Sequence, residues 1–224
     1  KAHQLTVMGM SDRGETPAIT LARVQAGFSK DAIFTRPWPI SQTFFAHSQT
    51  RIPLRYQPAA RSPGSLALFS GGNSSRDYPT LVEAVRGLDV DVRIATTKPI
   101  SDLPDNLAVL ERLFLHEFRN EIRRSDAVVV TLLGQSIAGL TVIALAHALG
   151  KPVICTQSLH AELYLEHEVS GLFIEEGNSA QLRAAIQRLQ TEEGLLQRLS
   201  EGARKQVYST EDLCDEIFQR IENP

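Results

Sequence analysis

Cysteine is scarce in this chain, metal-ligand spacing is missing, and no apolar run reaches the length of a membrane span. Cys155 and Cys214 lie far apart and belong to no cysteine or histidine cluster, so no zinc-type motif is present. Cys155 ends a β-branched run and reads as an inert core thiol. The missing membrane-length run and the lack of a secretory pattern at the start make a cytoplasmic protein the expectation. Excess charge is also missing. The net charge of -3 supplies no global electrostatic case for nucleic acid, and no nucleic-acid partner is expected. The chain opens at Lys1 rather than Met, with a strand-like stretch almost at once, and reads as a piece of a longer polypeptide.

What is present is an alternation of strands and helices. With 224 residues and 42% hydrophobic content, the chain can bury a full α/β core. The central stretch is Asp126 to Leu132, an apolar run of buried-strand length, followed by Ser136 to Gly150 and then Lys151-Pro152-Val153-Ile154. This order reads as strand, loop, helix, strand, one unit of a parallel sheet. Around it, strands are expected at Gln4–Met8, Ala32–Phe34, Ser65–Ser70, Asp91–Thr96, Leu107–Leu110, Pro152–Cys155 and Gly171–Ile174. Helices are expected at Glu15–Phe28, Tyr78–Leu88, Leu115–Arg124, Ala161–Glu166, Ser179–Gln190, Gly194–Val207 and Glu211–Ile221. Asp77, Asn178 or Ser179, and Thr210 are the cap candidates. The fold class is α/β, a Rossmann-like doubly wound parallel sheet with a small βαβ piece before it and a helical tail after it.

Between the small piece and the main sheet the text changes. Arg36 to Gly64 carries Pro37, Pro39, Pro53, Pro58 and Pro63, with Trp38, Phe44, Phe45 and Tyr56 interleaved among Arg36, Arg51, Arg55 and Arg61. Basic and aromatic residues in alternation suit single-stranded nucleic acid. The favoured reading is an extended linker pinned by its aromatics.

Ligands of a parallel sheet sit beyond the carboxyl ends of its strands. Two loops occupy that position. Gly71-Gly72-Asn73-Ser74-Ser75-Arg76 lacks the spacing of a dinucleotide fingerprint or a P-loop, yet it combines close backbone approach, hydroxyl donors and a guanidinium fork. Ser136 to Thr141 opens a helix, where free N–H groups and the helix dipole favour an anion. A plain strand-to-helix turn remains the alternative for each. His160 falls on the same sheet edge, and a solvent-facing histidine is equally consistent with its position. His147 reads as packing or surface, Asp126 as a turn or cap residue, and Glu162, Glu166, His167 and Glu168 as a solvated charged face.

The run Ala138 to Ile154 resembles the donor-binding helix of GT-B glycosyltransferases, in particular the group-1, family 4-like branch, in which a glycine loop opens a helix ending in Gly-Lys/Thr-Pro-Val. Ser125 to Val130 is similar to the strand before it, Glu168 to Ile174 to the strand after it, and Phe69 to Tyr78 to the first strand and glycine loop of the donor-binding domain. The resemblance implies that residues 1–36 end an acceptor-side domain, 37–64 form an interdomain crossover, and 65–224 form the nucleotide-sugar donor domain. It implies transfer of a sugar from a nucleotide diphosphate donor to an acceptor, a glycan or a lipid-linked one, with no further cofactor and no metal. It assigns the donor diphosphate to Gly71, Gly72, Asn73, Ser74, Arg76, Ala138, Gly139, Leu140 and Thr141, with His160 as a donor contact. The partners implied are the nucleotide sugar, the acceptor and the N-terminal domain of the same polypeptide. The location is cytoplasmic, with peripheral contact to the inner membrane face left open. The branch also carries a pair of glutamates where this chain has Ile137 and Leu145, and leucine cannot accept from ribose hydroxyls. A degenerate, non-catalytic domain that binds glycan or protein is the alternative, and an epimerase or phosphorylase on the same fold a lower one. These 224 residues alone are expected to bind donor weakly and to transfer nothing.

Overall fold

The computed structural model describes residues 7–9, 33–35, 65–111, 113–134 and 138–209, together with 211–212, 214–215 and 218–219. β1 (Val7–Gly9) and β2 (Ile33–Thr35) pair in parallel as a two-stranded sheet. The helix expected between them and the proline-rich stretch 36–64 lie outside the described residues.

The main sheet has six strands, all parallel: β3 (Leu66–Gly71), β4 (Val90–Ala95), β5 (Leu107–Leu110), β6 (Ala127–Val130), β7 (Val153–Thr156) and β8 (Gly171–Ile174). Their order is β5-β4-β3-β6-β7-β8. The chain therefore walks outward from β3 in one direction, returns to β6, and walks outward in the other. The reversal falls between β3 and β6, where the crossovers leave to opposite sides and a crevice opens at the carboxyl ends.

Alternation along the strands divides the core in two. Leu66, Leu68, Val92, Ile94, Val129, Ile154 and Leu172 point to one face. There they meet α1 (Tyr78–Val85), α4 (Ser179–Thr191) and α5 (Leu195–Lys205) through residues such as Leu81, Ile186 and Leu199. Phe69, Val128, Val130, Val153 and Cys155 point to the other face, against α2 (Leu115–Arg124) and α3 (Leu140–Ala148). Helices on both faces explain why β6 and β7 read as unbroken apolar runs.

Caps follow the sequence closely. The Asp77 carboxylate accepts from the Thr80 N–H at 3.2 Å and the Thr80 hydroxyl at 2.6 Å, and Asn178 accepts from the Gln181 N–H at 2.9 Å. Three expectations change. The helix after Asp77 stops at Val85, because Asn106 Nδ2 takes up the Val85 and Leu88 carbonyls and turns the chain into β4. The helix expected over Ala161–Glu166 is a 3-10 turn of Ala161–Leu163. Asp126 is a strand clamp: its carboxylate accepts from the Ala67 N–H at 2.9 Å while its own N–H donates to the Ala67 carbonyl at 2.7 Å, setting the β3–β6 register. Thr210 lies outside the described residues, and the described parts of the last expected helix, 211–212, 214–215 and 218–219, are helical. No helix among the described residues is long and apolar enough to cross a membrane.

α3 is apolar along most of its length, with Leu140, Val142, Ile143, Leu145 and Ala146 buried in the cluster on its face of the sheet. His147 is carried inside it, 1% exposed, with its ring against the backbone of Ser170 and Tyr164. Burial lowers its pKa from the ordinary 6.5 to about 4. Above pH 6.5 both folded and unfolded states are neutral. As pH falls from 6.5 toward 4, the unfolded chain takes a proton that the folded chain refuses, so stability drops. The expected loss at pH 5, relative to pH 7, is about 2 kcal/mol from this group. Urea unfolding of the wild type and His147→Leu at both pH values checks it: the variant's loss should be smaller by that amount.

Candidate functional site

The carboxyl ends of β3 and β6, side by side at the reversal point, are knitted together by backbone. Asp77 N–H donates to the Thr131 carbonyl at 3.1 Å and Leu133 N–H to the Ser75 carbonyl at 3.0 Å, around an antiparallel bridge between Arg76 and Leu132. The loop after β3 thus doubles back along the segment after β6. Ser75 takes a positive φ of 49° to allow it, and Gly72 one of 117°.

This fold-back drives Arg76 inward. Its side chain is buried, with Nε donating to the Gly71 carbonyl at 2.9 Å and one terminal nitrogen to the Ser74 carbonyl at 3.1 Å. The guanidinium lies against both glycine loops at once. A Cβ on Gly72 would stand 2.6 Å from one terminal nitrogen, and a Cβ on Gly139 would stand 3.3 Å from the other. Burial pushes the Arg76 pKa below the usual arginine value, opposed by the neighbouring Tyr78, and a guanidinium still keeps its proton near neutral pH. No carboxylate among the described residues forms an ion pair with it.

Gly139, at φ 87°, is the N-cap of α3, and no side chain caps that helix end. The positive end of the α3 dipole and a buried guanidinium are therefore neighbours, the guanidinium facing the space that a side chain at Gly139 would fill. Two like charges held together in a poorly solvated place repel unless an anion lies between them. That is the chemistry the arrangement can perform: binding of a phosphate-type anion and stabilisation of charge that develops on it.

Of the residues predicted from sequence, Gly71, Gly72, Arg76 and Gly139 are brought together around this guanidinium. Ala138 is half-buried beside Gly139, Leu140 is buried and Thr141 exposed on the first turn of α3. Ser74 is exposed and offers its hydroxyl at the rim. The Asn73 side-chain oxygen is already engaged, accepting from the Thr96 hydroxyl at 2.8 Å and the Thr97 N–H at 3.0 Å, so Asn73 ties the loop to β4. His160 sits after β7 as the N-cap residue just before the 3-10 turn, half-buried, with Nδ1 enclosed and without a hydrogen-bond partner among the described residues. Ile137 lies outside the described residues. Leu145 is 5% exposed within the apolar cluster around α3.

Sequence reasoning missed the supports. The Tyr78 hydroxyl donates to the Gly72 carbonyl at 2.6 Å, and the Thr156 hydroxyl accepts from the Leu132 N–H at 3.0 Å. The Glu176 carboxylate accepts from the Gly134 N–H at 2.7 Å. Tyr78 had a signal, being two residues past Arg76 at the start of a helix; Thr156 and Glu176 had none, since both act across strands. The Cys155 thiol is pushed up to about 12 by full burial and stays protonated, as expected of a core thiol. Around the charged residues after β7, Glu168 pairs with Arg188 at 2.6 Å and the His167 Nδ1 accepts from the Phe173 N–H at 2.9 Å. These are structural contacts of the β8 edge. No group of three or more His, Cys, Asp or Glu among the described residues is placed to hold a metal ion.

Two hollows lie away from Arg76. One, of about 180 Å³, is lined by Ala67, Asp91, Arg93, Glu121 and Ser125 toward the amino ends of the strands. The other, about 390 Å³, runs along the β8 edge past His167, Phe173 and Gln181. The Arg76 site is instead a meeting of two loops, so its integrity rests on backbone geometry. A Cβ at Gly139 would stand 2.7 Å from Val130 Cγ1 at a φ that L side chains rarely adopt. Gly139→Ala is expected to cost about 1–3 kcal/mol of stability, read as a lowered urea midpoint, and unchanged unfolding would contradict the packing described.

With this geometry in view, the relatives are informative. Among curated proteins, no sequence match was found. Solved structures do match in fold. Anabaena HepE in complex with UDP and glucose superposes with a TM-score of 0.65 at 15% identity, over 97% of this chain and 63% of that one. A glycosyltransferase from Rickettsia africae gives 0.66 at 15%, over 98% and 64%. Sucrose-phosphate synthase from Thermosynechococcus elongatus gives 0.65 at 16%, over 96% and 57%. This chain thus spans under two thirds of the length of each. Residues 101–206, which run from before β5 to the end of α5 and include α3, match the family model for glycosyl transferases group 1. This chain thus has the fold of these glycosyltransferases, and over residues 101–206 it resembles the group-1 glycosyl transferases in sequence.

Proposed function

We propose that the chain is the donor-side part of a glycosyltransferase, and that it holds the diphosphate of a nucleotide sugar at the Arg76 site. Residues 65–224 would form the donor domain, with 1–36 and 37–64 belonging to the acceptor-side domain and the crossover. The observation that carries the reading is the buried Arg76 guanidinium, without a carboxylate ion pair among the described residues, filling the space where side chains at Gly72 and Gly139 would stand. The UDP and glucose in the HepE complex support the ligand class.

In sugar transfer the bond from the anomeric carbon to the diphosphate oxygen breaks, and negative charge grows on the leaving diphosphate. Arg76 supplies a fixed cation where that charge appears, and the N-terminus of α3 supplies N–H groups and a dipole. Both are preorganised: Arg76 by the Gly71 and Ser74 carbonyls, α3 by its packing in the core. Thr141 and Ser74 offer hydroxyls at the rim. The acceptor is held elsewhere in the polypeptide, on a glycan or a lipid-linked carrier, and its positioning supplies the rest of the rate.

Leu145 favours a second reading. It places an apolar, buried side chain where the resemblance expects a glutamate, consistent with a domain that binds without turnover. In the intact polypeptide, release of UDP from UDP-glucose in the presence of a glycan acceptor supports the transferase; binding with recovery of intact donor supports the binding module.

Calorimetric titration of UDP and of inorganic pyrophosphate tests the site itself. Arg76→Met should weaken both by about tenfold or more, and Arg76→Lys by less, since lysine keeps the charge but loses the planar fork. Circular dichroism confirms folding of each variant. Unchanged affinity in Arg76→Met, or no binding of either ligand to the wild type, would remove Arg76 from this role.

A further inference from the structure

The segment that follows β6 has two edges. One is stapled to the loop of Arg76 through Leu133 N–H and the Ser75 carbonyl. The other ends at Gly134, which has a φ of 66° and open space around it, and whose N–H meets Glu176 Oε1 at 2.7 Å. Glu176 lies in the turn that follows β8, two residues past its end, and strand β7 lies between β8 and β6. The carboxylate thus reaches over the end of β7, across two strand spacings or about 10 Å of sheet.

The two ends of this tether differ in rigidity. On the Glu176 side, the Gln157 N–H extends the ladder to the Ile174 carbonyl at 2.8 Å. Glu175 N–H is held by Gln181 Oε1 at 2.8 Å, and the Glu175 carboxylate accepts from Asn178 Nδ2 at 3.1 Å beside the cap of α4. On the Gly134 side the anchored residue is a glycine at positive φ, five positions before Gly139 in the sequence. A short hydrogen bond to an ionised carboxylate is among the stronger polar contacts a surface can make. Of the hydrogen bonds on the crossover between β6 and α3, this one comes from the far edge of the sheet.

We infer that Glu176 is a positioning residue for the anion site. Its carboxylate anchors Gly134, at the β6 end of the crossover, from the turn after β8, and so keeps the N-terminus of α3 near the Arg76 guanidinium. The inference rests on the anion-binding reading above and adds a residue that touches neither Arg76 nor Gly139.

The charge on Glu176 makes the test discriminating. A negative group near an anion site weakens anion binding by simple repulsion, so removing it by itself should tighten binding. Loss of the tether acts in the opposite direction. Glu176→Gln removes the charge and keeps an oxygen that can accept from Gly134; Glu176→Ala removes both. The wild type and both variants are titrated with UDP and with inorganic pyrophosphate, and amide hydrogen exchange of Gly134 is followed in each. The expected result is about tenfold weaker binding in Glu176→Ala, wild-type or tighter binding in Glu176→Gln, and Gly134 protection lost only in the alanine variant, with both variants melting near the wild type. Tighter binding in both variants, or unchanged Gly134 exchange in Glu176→Ala, would overturn the inference. If the wild type binds neither ligand, the anion-binding reading fails by itself, and the exchange of Gly134 still decides whether the tether exists.

Discussion

A guanidinium taken out of water without a carboxylate beside it is costly, and the Arg76 loop holds one at the centre of the molecule's carboxyl-end surface. Its local partners are carbonyl dipoles from Gly71 and Ser74, which orient it but leave its charge uncancelled. The N-terminus of α3 adds positive potential on the other side. Such a site is electrostatically incomplete by itself, and in the proposed function the diphosphate completes it.

The rest of the sheet holds that juxtaposition in place. The strand order puts β3 and β6 next to each other and sends their crossovers to opposite faces, so the two loops face each other across the switch point. Asp126 sets the register between the two strands at their amino ends, and the Thr131, Ser75 and Leu133 backbone groups close them at their carboxyl ends. Tyr78 and Asn73 tie the first loop to α1 and β4, and Thr156 and Glu176 tie the second toward β7 and β8. Each central strand contributes at least one contact to the position of one side chain.

α3 carries a different constraint. With Leu140, Val142, Ile143, Leu145 and Ala146 all buried against its face of the sheet, it has little room to move, which suits a dipole that must stay aimed. The same burial strands His147 as a neutral imidazole and leaves Leu145 among apolar neighbours. A carboxylate at Leu145, where the resemblance implies a glutamate, would have to be accommodated in that apolar cluster.

Much of this was legible in the residues alone. β-branched runs, glycine turns and caps such as Asp77 and Asn178 are local signals, and the strands Leu107–Leu110 and Gly171–Ile174 and the helix Leu115–Arg124 follow from them with their ends intact. Both glycine loops and Arg76 were visible as anion-suited segments, because backbone freedom and charge are properties of the residues themselves. The end of α1 at Val85 was not, since Asn106 reaches it from another part of the chain. Nor was the 3-10 turn at Ala161, or the part played by Asp126, which depends on a strand paired from far away in sequence. The sequence by itself determined which segments form strands, helices and polar loops, through hydrophobic period and local capping. Only the tertiary structure decided that Gly72 and Gly139 share one guanidinium and that Glu176 reaches Gly134. Those contacts follow from the strand order, which brings together residues that no local pattern connects.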